Sequence, residues 1–235
     1  MSFTAAYMVP HPPMIIPEVG RGSEAQIEST RKAYIQVAEE IAELKPETII
    51  VSSPHTTIYA DYFHISPGKE AAGSFAQFRA PQVRFLETYD DALVKAIERK
   101  AKDSHFPAGT MGQRDKALDH GTMVPLYFIR KKYTGFRLVR IGLSGLPLED
   151  HYRLGQIVRS AVEEVGRRVV YIASGDLSHK LQSYGPYGFA AEGPQYDARI
   201  MDVCGRAAFE ELFDFNESFC EHAAECGHRS FVIMA

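Results

Sequence analysis

Short runs of apolar residues are separated by longer stretches in which apolar and polar residues repeat with helical spacing. Residues 47–52 read Glu-Thr-Ile-Ile-Val-Ser, and residues 168–174 form a similar run. Continuous hydrophobicity of this kind is typical of strands that are covered on both faces of a sheet. Strands are therefore predicted over residues 3–9, 47–52, 62–65, 137–143 and 168–174.

The stretches between these strands carry the spacing of amphipathic helices. Helices are predicted over residues 24–44, 90–102, 120–132, 149–165, 195–213 and 216–226, whereas residues 66–89 are predicted to be irregular. Alternating strands and helices indicate a single α/β domain over residues 1–235, with a mainly parallel or mixed central sheet and helices on both faces. The chain stops just after the apolar stretch of residues 230–234, which is compatible with truncation of the domain at its C-terminus or with a missing neighbouring domain.

Composition and charge limit which kinds of partner and which cellular compartment are expected. The chain of 235 residues is 45% hydrophobic and has a formal net charge of −4. The sequence shows no basic stripe for a nucleic acid and no apolar run long enough to span a membrane, and its N-terminal segment is not expected to act as a signal peptide. Cysteines are found at three positions without C-x-x-C spacing, so a disulfide framework is not expected and a cytoplasmic location is favoured.

Three histidines lie just past the ends of predicted strands. His11 follows the first strand and is flanked by Pro10, Pro12 and Pro13, which restrict the backbone to extended conformations. His55 follows the second strand, and His179 follows the strand at residues 168–174. Since residues past the carboxyl ends of parallel strands line one crevice, these imidazoles indicate a metal centre or proton-transfer chemistry.

Three more residues are candidates for the same crevice, although each also has an ordinary structural explanation. His120 belongs to Asp-His-Gly-Thr, which also fits a loop that caps a helix. Asp176 could fix the tautomer of a histidine by accepting a ring N–H, or form a turn after a strand. Glu225 follows two alanines near a predicted helix end and could be a partly buried carboxylate, or a solvated one.

The motifs around these residues resemble the class III extradiol ring-cleavage dioxygenase superfamily, of the type of the catalytic beta subunit of protocatechuate 4,5-dioxygenase. The AMMECR1-associated branch is the most similar, and Memo-like proteins are more distant. No single motif is diagnostic, but their order and spacing are specific. The matching motifs are His11-Pro12-Pro13, Ser53-Pro54-His55, Asp119-His120-Gly121-Thr122, Gly175-Asp176-Leu177-Ser178-His179 and Glu225-Cys226-Gly227.

The resemblance implies a role for each site residue. His11 and His55 would bind the metal, and Glu225 would supply a carboxylate ligand. His179 matches the acid/base histidine of the family, and His120 matches a second histidine that lines the substrate pocket. Memo-like members have a cysteine near the third-ligand position, which leaves Cys226 as an alternative to Glu225. We assign His179, His120 and Asp176 to catalysis.

The resemblance also implies a function and partners. We expect a non-haem Fe(II) extradiol dioxygenase that opens a catechol-type ring with O2, so the partners are a small aromatic substrate and O2. Zn(II) or Cu would replace iron if a thiolate were a ligand. The alternative is a Memo-like module that binds a metal or a partner without oxygen chemistry, and a zinc hydrolase is a third hypothesis. An AMMECR1-type domain and a second copy of the chain are the expected protein partners.

Overall fold

Strands and helices alternate along residues 3–112 and 116–235, the part of the chain described by the computed structural model. The strands are β1 (Phe3–Val9), β2 (Thr48–Ser53), β3 (Phe63–His64), β4 (Glu70–Phe75), β5 (Ala80–Thr88), β6 (Ala108–Gly109), β7 (Arg137–Gly142) and β8 (Val169–Ser174). The helices are α1 (Pro17–Gly20), α2 (Glu28–Leu44), α3 (Asp91–Asp103), α4 (His120–Arg130), α5 (Leu148–Val165), α6 (Glu192–Gly205), α7 (Glu217–Ala223) and α8 (His228–Met234).

Strands β1, β2, β7 and β8 form one parallel sheet with the strand order β1-β8-β2-β7. Every residue of β2 and β8 is buried, as their continuous hydrophobicity predicts. Val9 pairs with Ser174, and Ser53 pairs with Gly142, so the strands end at nearly the same level. The segments that carry the candidate residues therefore leave the sheet along one edge.

Alternate residues of the strands point into two apolar layers. One layer contains Ile50 and Tyr171 and packs against α3, α5, α6 and α8. The other contains Ile49 and Ile172 and packs against α2, α4 and the antiparallel pair β4–β5. These observations confirm the predicted α/β architecture, with a mainly parallel sheet between helices.

Two predictions of local structure were wrong. Residues 70–88 form the hairpin β4–β5, although residues 66–89 were predicted to be irregular. The helix predicted over residues 195–213 ends at Gly205, where Ala207 adopts a left-handed conformation with φ of 55° and a short 3-10 helix follows. None of the helices in the described residues is long and apolar enough to cross a membrane.

Candidate metal centre

His11 and His55 meet at the carboxyl edge of the sheet. Their rings are T-shaped, with centroids 4.7 Å apart, and the two Nε2 atoms are separated by 2.9 Å. The His11 backbone is fixed on both sides, since its N–H donates to Asp176 Oδ1 at 2.6 Å and the Tyr34 hydroxyl donates to the carbonyl of Pro10. The ends of β1 and β2, which lie on either side of β8 in the sheet, thus bring two imidazole nitrogens to one point.

Ser174, the last residue of β8, determines the tautomer of His11. Its hydroxyl donates its single proton to the carbonyl of Gly121 at 2.6 Å. It must then accept the hydrogen bond that joins it to His11 Nδ1 at 2.9 Å, so Nδ1 carries the proton and Nε2 has a free lone pair. Burial lowers the pKa of His11 to about 4, and the ring is neutral at physiological pH.

His120 lies beside this pair at the first residue of α4. Its ring centroid is 4.0 Å from that of His55 and 5.3 Å from that of His11. Burial, followed by the proximity of His55, lowers the pKa of His120 to about 4. The His55 residue is exposed, but partial burial of its ring lowers its pKa as well. All three imidazoles are therefore neutral and suited to bind a cation.

The chain segment 225–227 adds a thiol to the histidine pair. Cys226 Sγ is 3.6 Å from His11 Nε2, and ligand atoms of His11, His55 and Cys226 all lie within 4.8 Å of one another. The Glu225 carboxylate instead accepts a hydrogen bond from the His228 N–H at 2.6 Å, at the beginning of α8. The assignment of Glu225 as the third ligand stays a prediction, and the contacts favour Cys226 for that position.

A contact between two glycines positions Cys226. A Cβ atom on Gly175 would lie 2.1 Å from Gly227 Cα, so any side chain there would separate the two backbones. The close approach lets the Cys226 N–H donate to the Asp176 carbonyl at 3.2 Å, and the Asp176 N–H donate to Cys226 Sγ at 3.3 Å. The end of β8 and the segment before α8 are thereby held in one register.

His179 and Asp176 form an ion pair next to the thiol. His179 Nε2 is 3.4 Å from Asp176 Oδ2, and its Nδ1–H donates to the Ala224 carbonyl at 2.5 Å. The hydrogen bond to Asp176 is the main cause of the raised pKa of His179. Burial opposes ionisation of Asp176, but its interactions with His179 and His11 outweigh this and hold its pKa below the usual range.

These donors fit a transition-metal ion. Two nitrogens that bind one ion at about 2.1 Å lie about 3.0 Å apart when they meet at a right angle, and the Nε2 atoms of His11 and His55 are 2.9 Å apart. Asp176, His179 and Cys226 form a second group whose ligand atoms lie within 4.8 Å of one another. A thiol next to two neutral imidazoles suits zinc or copper, and sulfur ligands also bind iron.

An open cavity of about 780 Å³ gives access to the histidines from the side of the hairpin. Its wall includes His55, His120, Phe85 and Arg84, together with the backbone of β4 around Gly73. The volume is within the range of small-molecule sites in proteins. A small molecule could therefore reach His55 and His120 from this side.

The structure brings His11, His55, His120, Asp176 and His179 close together, and the strand-end argument had predicted a shared edge for His11, His55 and His179. Sequence reasoning missed Ser174, which orients His11, although a serine at the last position of a buried strand is a detectable signal. It also missed Arg140 on β7, which is 1% exposed and whose side chain contacts the segment before α4.

Comparison with known proteins identifies the class to which this fold and site belong. Residues 5–235 match the family model described as the catalytic LigB subunit of aromatic ring-opening dioxygenase. The chain therefore belongs to the LigB family. Dioxygenases of this family depend on a metal, which agrees with the donor groups found at the sheet edge.

Three relatives show how sequence identity and coverage vary. Protein CA_C1420 of Clostridium acetobutylicum is 38% identical over the whole chain, which spans 52% of that protein. The 2-aminophenol 1,6-dioxygenase beta subunit of a Pseudomonas species is 26% identical, over 98% of this chain and 83% of that one. A MEMO1 family protein of Pyrococcus abyssi is 28% identical, over 74% of this chain and 60% of that one.

A solved structure supports the fold alone. The uncharacterized protein JW3007 of Escherichia coli K12 superposes with a TM-score of 0.52 at 15% sequence identity. The match covers 85% of this chain and 80% of that one. The two proteins therefore share the α/β fold, but a sequence identity this low gives no information on the substrate.

Proposed function

We propose that this chain is a non-haem Fe(II)-dependent extradiol dioxygenase that opens a catechol-type ring with O2. The observation that supports this proposal most strongly is that two neutral imidazoles, with Nε2 atoms 2.9 Å apart, lie at the same sheet edge as the ion pair His179–Asp176. The cavity bordered by His55 and His120 has room for an aromatic ring. Membership of the LigB family supports the same reaction class.

The proposed metal ligands are His11, His55 and a third donor from the segment 225–226. Cys226 is favoured by its distance of 3.6 Å from His11 Nε2, whereas Glu225 would have to leave its hydrogen bond to His228. Iron, when bound, supplies a centre at which both catechol oxygens and O2 can be held together. Both atoms of O2 enter the ring-opened product, so the reaction needs no other oxidant.

His179 is the proposed acid/base group. Its Nδ1–H is held by the Ala224 carbonyl, so proton exchange takes place at Nε2, which faces Asp176. Asp176 stabilises the protonated ring and raises its pKa, which lets one histidine accept a phenolic proton and return it near neutral pH. His120 stays neutral and lines the cavity, where it can orient a substrate hydroxyl.

The test is anaerobic reconstitution with Fe(II), followed by O2 uptake over a panel of aromatic diols and aminophenols. For a productive substrate, His179→Ala should retain metal and lose turnover by about 10²–10⁴-fold, the usual effect of a general acid/base group. His105→Asn, at an exposed position with a left-handed backbone that asparagine tolerates, is the control. Unchanged turnover in His179→Ala would rule out the assigned role.

The second candidate is a Memo-like module that binds a metal or a partner without dioxygenase activity. The observation that favours it is the position of Cys226, since a thiol rather than a carboxylate lies next to the histidine pair. The similarity to MEMO1 family proteins points the same way. Full metal occupancy without O2 uptake over a broad panel would favour the module over the enzyme.

Partners and location are proposed on narrower grounds. The chain spans 52% of the length of CA_C1420, so that relative has room for a further domain. We propose that a domain of the AMMECR1 type is the partner of this chain. A homo-oligomer is also proposed for this chain, and the name of the Pseudomonas beta subunit supports only that this relative is part of a subunit assembly. The three cysteines are free, and this supports a reducing, cytoplasmic location.

A further inference from the structure

The first turn of α4 carries His120 and contacts the residues that position His11 and His55. His120 is its first residue, and the Gly121 carbonyl accepts the Ser174 hydroxyl that orients His11. Gly121 also lies against the segment that carries His55, because a Cβ atom at Gly121 would be 2.4 Å from Ser53 Oγ and 3.3 Å from His55 Cδ2. A small displacement of this turn would therefore move the whole histidine cluster.

Asp119, the N-cap residue of α4, joins this turn to the end of β2. Its Oδ1 accepts from the Thr122 N–H at 2.9 Å and from the Ser53 hydroxyl at 2.6 Å. Its Oδ2 accepts from the Thr122 hydroxyl at 2.8 Å. Since Ser53 uses its only proton on Asp119, its oxygen accepts from the His55 N–H at 3.2 Å. One carboxylate thus fixes the position of His55 relative to His120.

Arg140 holds Asp119 and the segment before it from the interior. It lies on β7, is 1% exposed and is among the largest fully buried side chains. Its guanidinium donates to Ser66 Oγ at 2.8 Å and to the Ala117 carbonyl at 2.5 Å, and Nη1 is 3.6 Å from Asp119 Oδ2. Removing a guanidinium from water is costly, and an apolar residue would fill this core position more cheaply.

We infer that Arg140 is a positioning residue for the metal centre, acting through Asp119 and the first turn of α4. The inference rests on the proposed metal site. Arg140 reaches the ligands by a defined sequence of contacts, from its guanidinium to Asp119, from Asp119 to Ser53, and from Ser53 to the backbone of His55. Its fixed, planar set of donors spans several acceptors at once, which the single ammonium group of a lysine cannot do.

The same helix offers a matched control. Arg130, the last residue of α4, donates to the Glu87 carboxylate at 2.7 Å, and Glu87 is 6% exposed. Arg130→Met therefore removes an arginine–carboxylate pair from the opposite end of α4 without touching the histidines. Comparison with Arg140→Met separates a loss of general stability from a loss of site geometry.

The experiment measures anaerobic Co(II) affinity and the Co(II) absorption spectrum, which reports the ligand geometry. Arg140→Met should bind Co(II) about 10–100-fold more weakly than the unsubstituted protein, as expected when support for a metal ligand is lost, and its spectrum should change. The Co(II) affinity of Arg140→Lys should lie between those of Arg140→Met and the unsubstituted protein. Arg130→Met should stay within about twofold of the unsubstituted affinity, a much smaller change than that expected for Arg140→Met. If Arg140→Met does not fold, Arg140→Lys and Asp119→Asn carry the comparison.

A metal-independent measurement accompanies the titrations. In the metal-free protein, 15N NMR of the imidazoles should show His11 as the single Nδ1–H tautomer, and in Arg140→Met as a mixture of tautomers. Folded Arg140 variants with unsubstituted Co(II) affinity, spectrum and tautomer would overturn the inference. An unsubstituted protein that binds no Co(II) would instead count against the proposed metal site, while the tautomer comparison would still decide the role of Arg140.

Discussion

Gly175→Ala tests whether the glycine contact sets the position of Cys226. The added Cβ would lie 2.1 Å from Gly227 Cα and 3.0 Å from Gly227 N, so the segment before α8 must move by more than 1 Å to reach an ordinary contact of about 3.5 Å. Such overpacking costs about 1–3 kcal/mol. The two hydrogen bonds between Asp176 and Cys226 add about 1 kcal/mol when they break.

We therefore expect Gly175→Ala to lose about 2–4 kcal/mol of unfolding free energy and to bind metal more weakly. Urea unfolding and anaerobic metal titration measure the two effects. Gly205→Ala is the matched control, because no atom lies within 4 Å of the added Cβ at the exposed end of α6. If Gly175→Ala matched the control in stability and in metal affinity, the proposed link between the glycine contact and the site would be refuted.

Two further predictions concern protons. Burial raises the pKa of the Cys226 thiol to about 12, so a metal that binds its thiolate must displace a proton, and log K should rise by about one per pH unit between pH 6.5 and 8.5. Cys226→Ala should abolish this slope and Glu225→Gln should keep it, whereas a log K of the unsubstituted protein that does not change over this window would count against a Cys226 thiolate ligand. Burial lowers the pKa of His151 to about 4, so the unfolded state binds more protons below pH 6.5 and the unfolding free energy falls by up to about 1.4 kcal/mol per pH unit between about pH 6 and 4. His151→Gln should make the pH dependence of the unfolding free energy less steep over this window, and an equal slope would contradict a buried, neutral His151.

The sheet and the strand-end histidines were predictable because both follow from local pattern. Strands β2 and β8 have continuous apolar runs and are buried throughout, and parallel strands deliver the residues after their carboxyl ends to one edge. The sequence position of His11 and His55 was therefore enough to place them together. Their separation of 2.9 Å and the tautomer of His11 depend on Ser174 and Gly121, which are remote in sequence.

The hairpin β4–β5 could not be recognised from alternation of apolar and polar residues. Glu87 is buried through its ion pair with Arg130, so a charged residue occupies an inward position of β5. Gly73 and Pro81 further weaken the strand signal. The pattern depends on a partner on α4 that the local sequence does not reveal.

The third donor was ambiguous for a similar reason. Glu225 and Cys226 are neighbours, and the backbone direction that separates them is set by the contact between Gly175 and Gly227. That contact joins segments 52 positions apart along the chain (227 minus 175). Local sequence could therefore limit the choice to two adjacent residues but could not decide between them.

X-ray absorption spectroscopy of protein loaded anaerobically with one equivalent of Fe(II) tests the central claim most directly. We predict scattering from two imidazoles together with one sulfur at about 2.3 Å, and loss of the imidazole signature in His11→Ala and His55→Ala. A spectrum with oxygen ligands only, unchanged by either substitution, would contradict a metal centre at the carboxyl edge of this sheet.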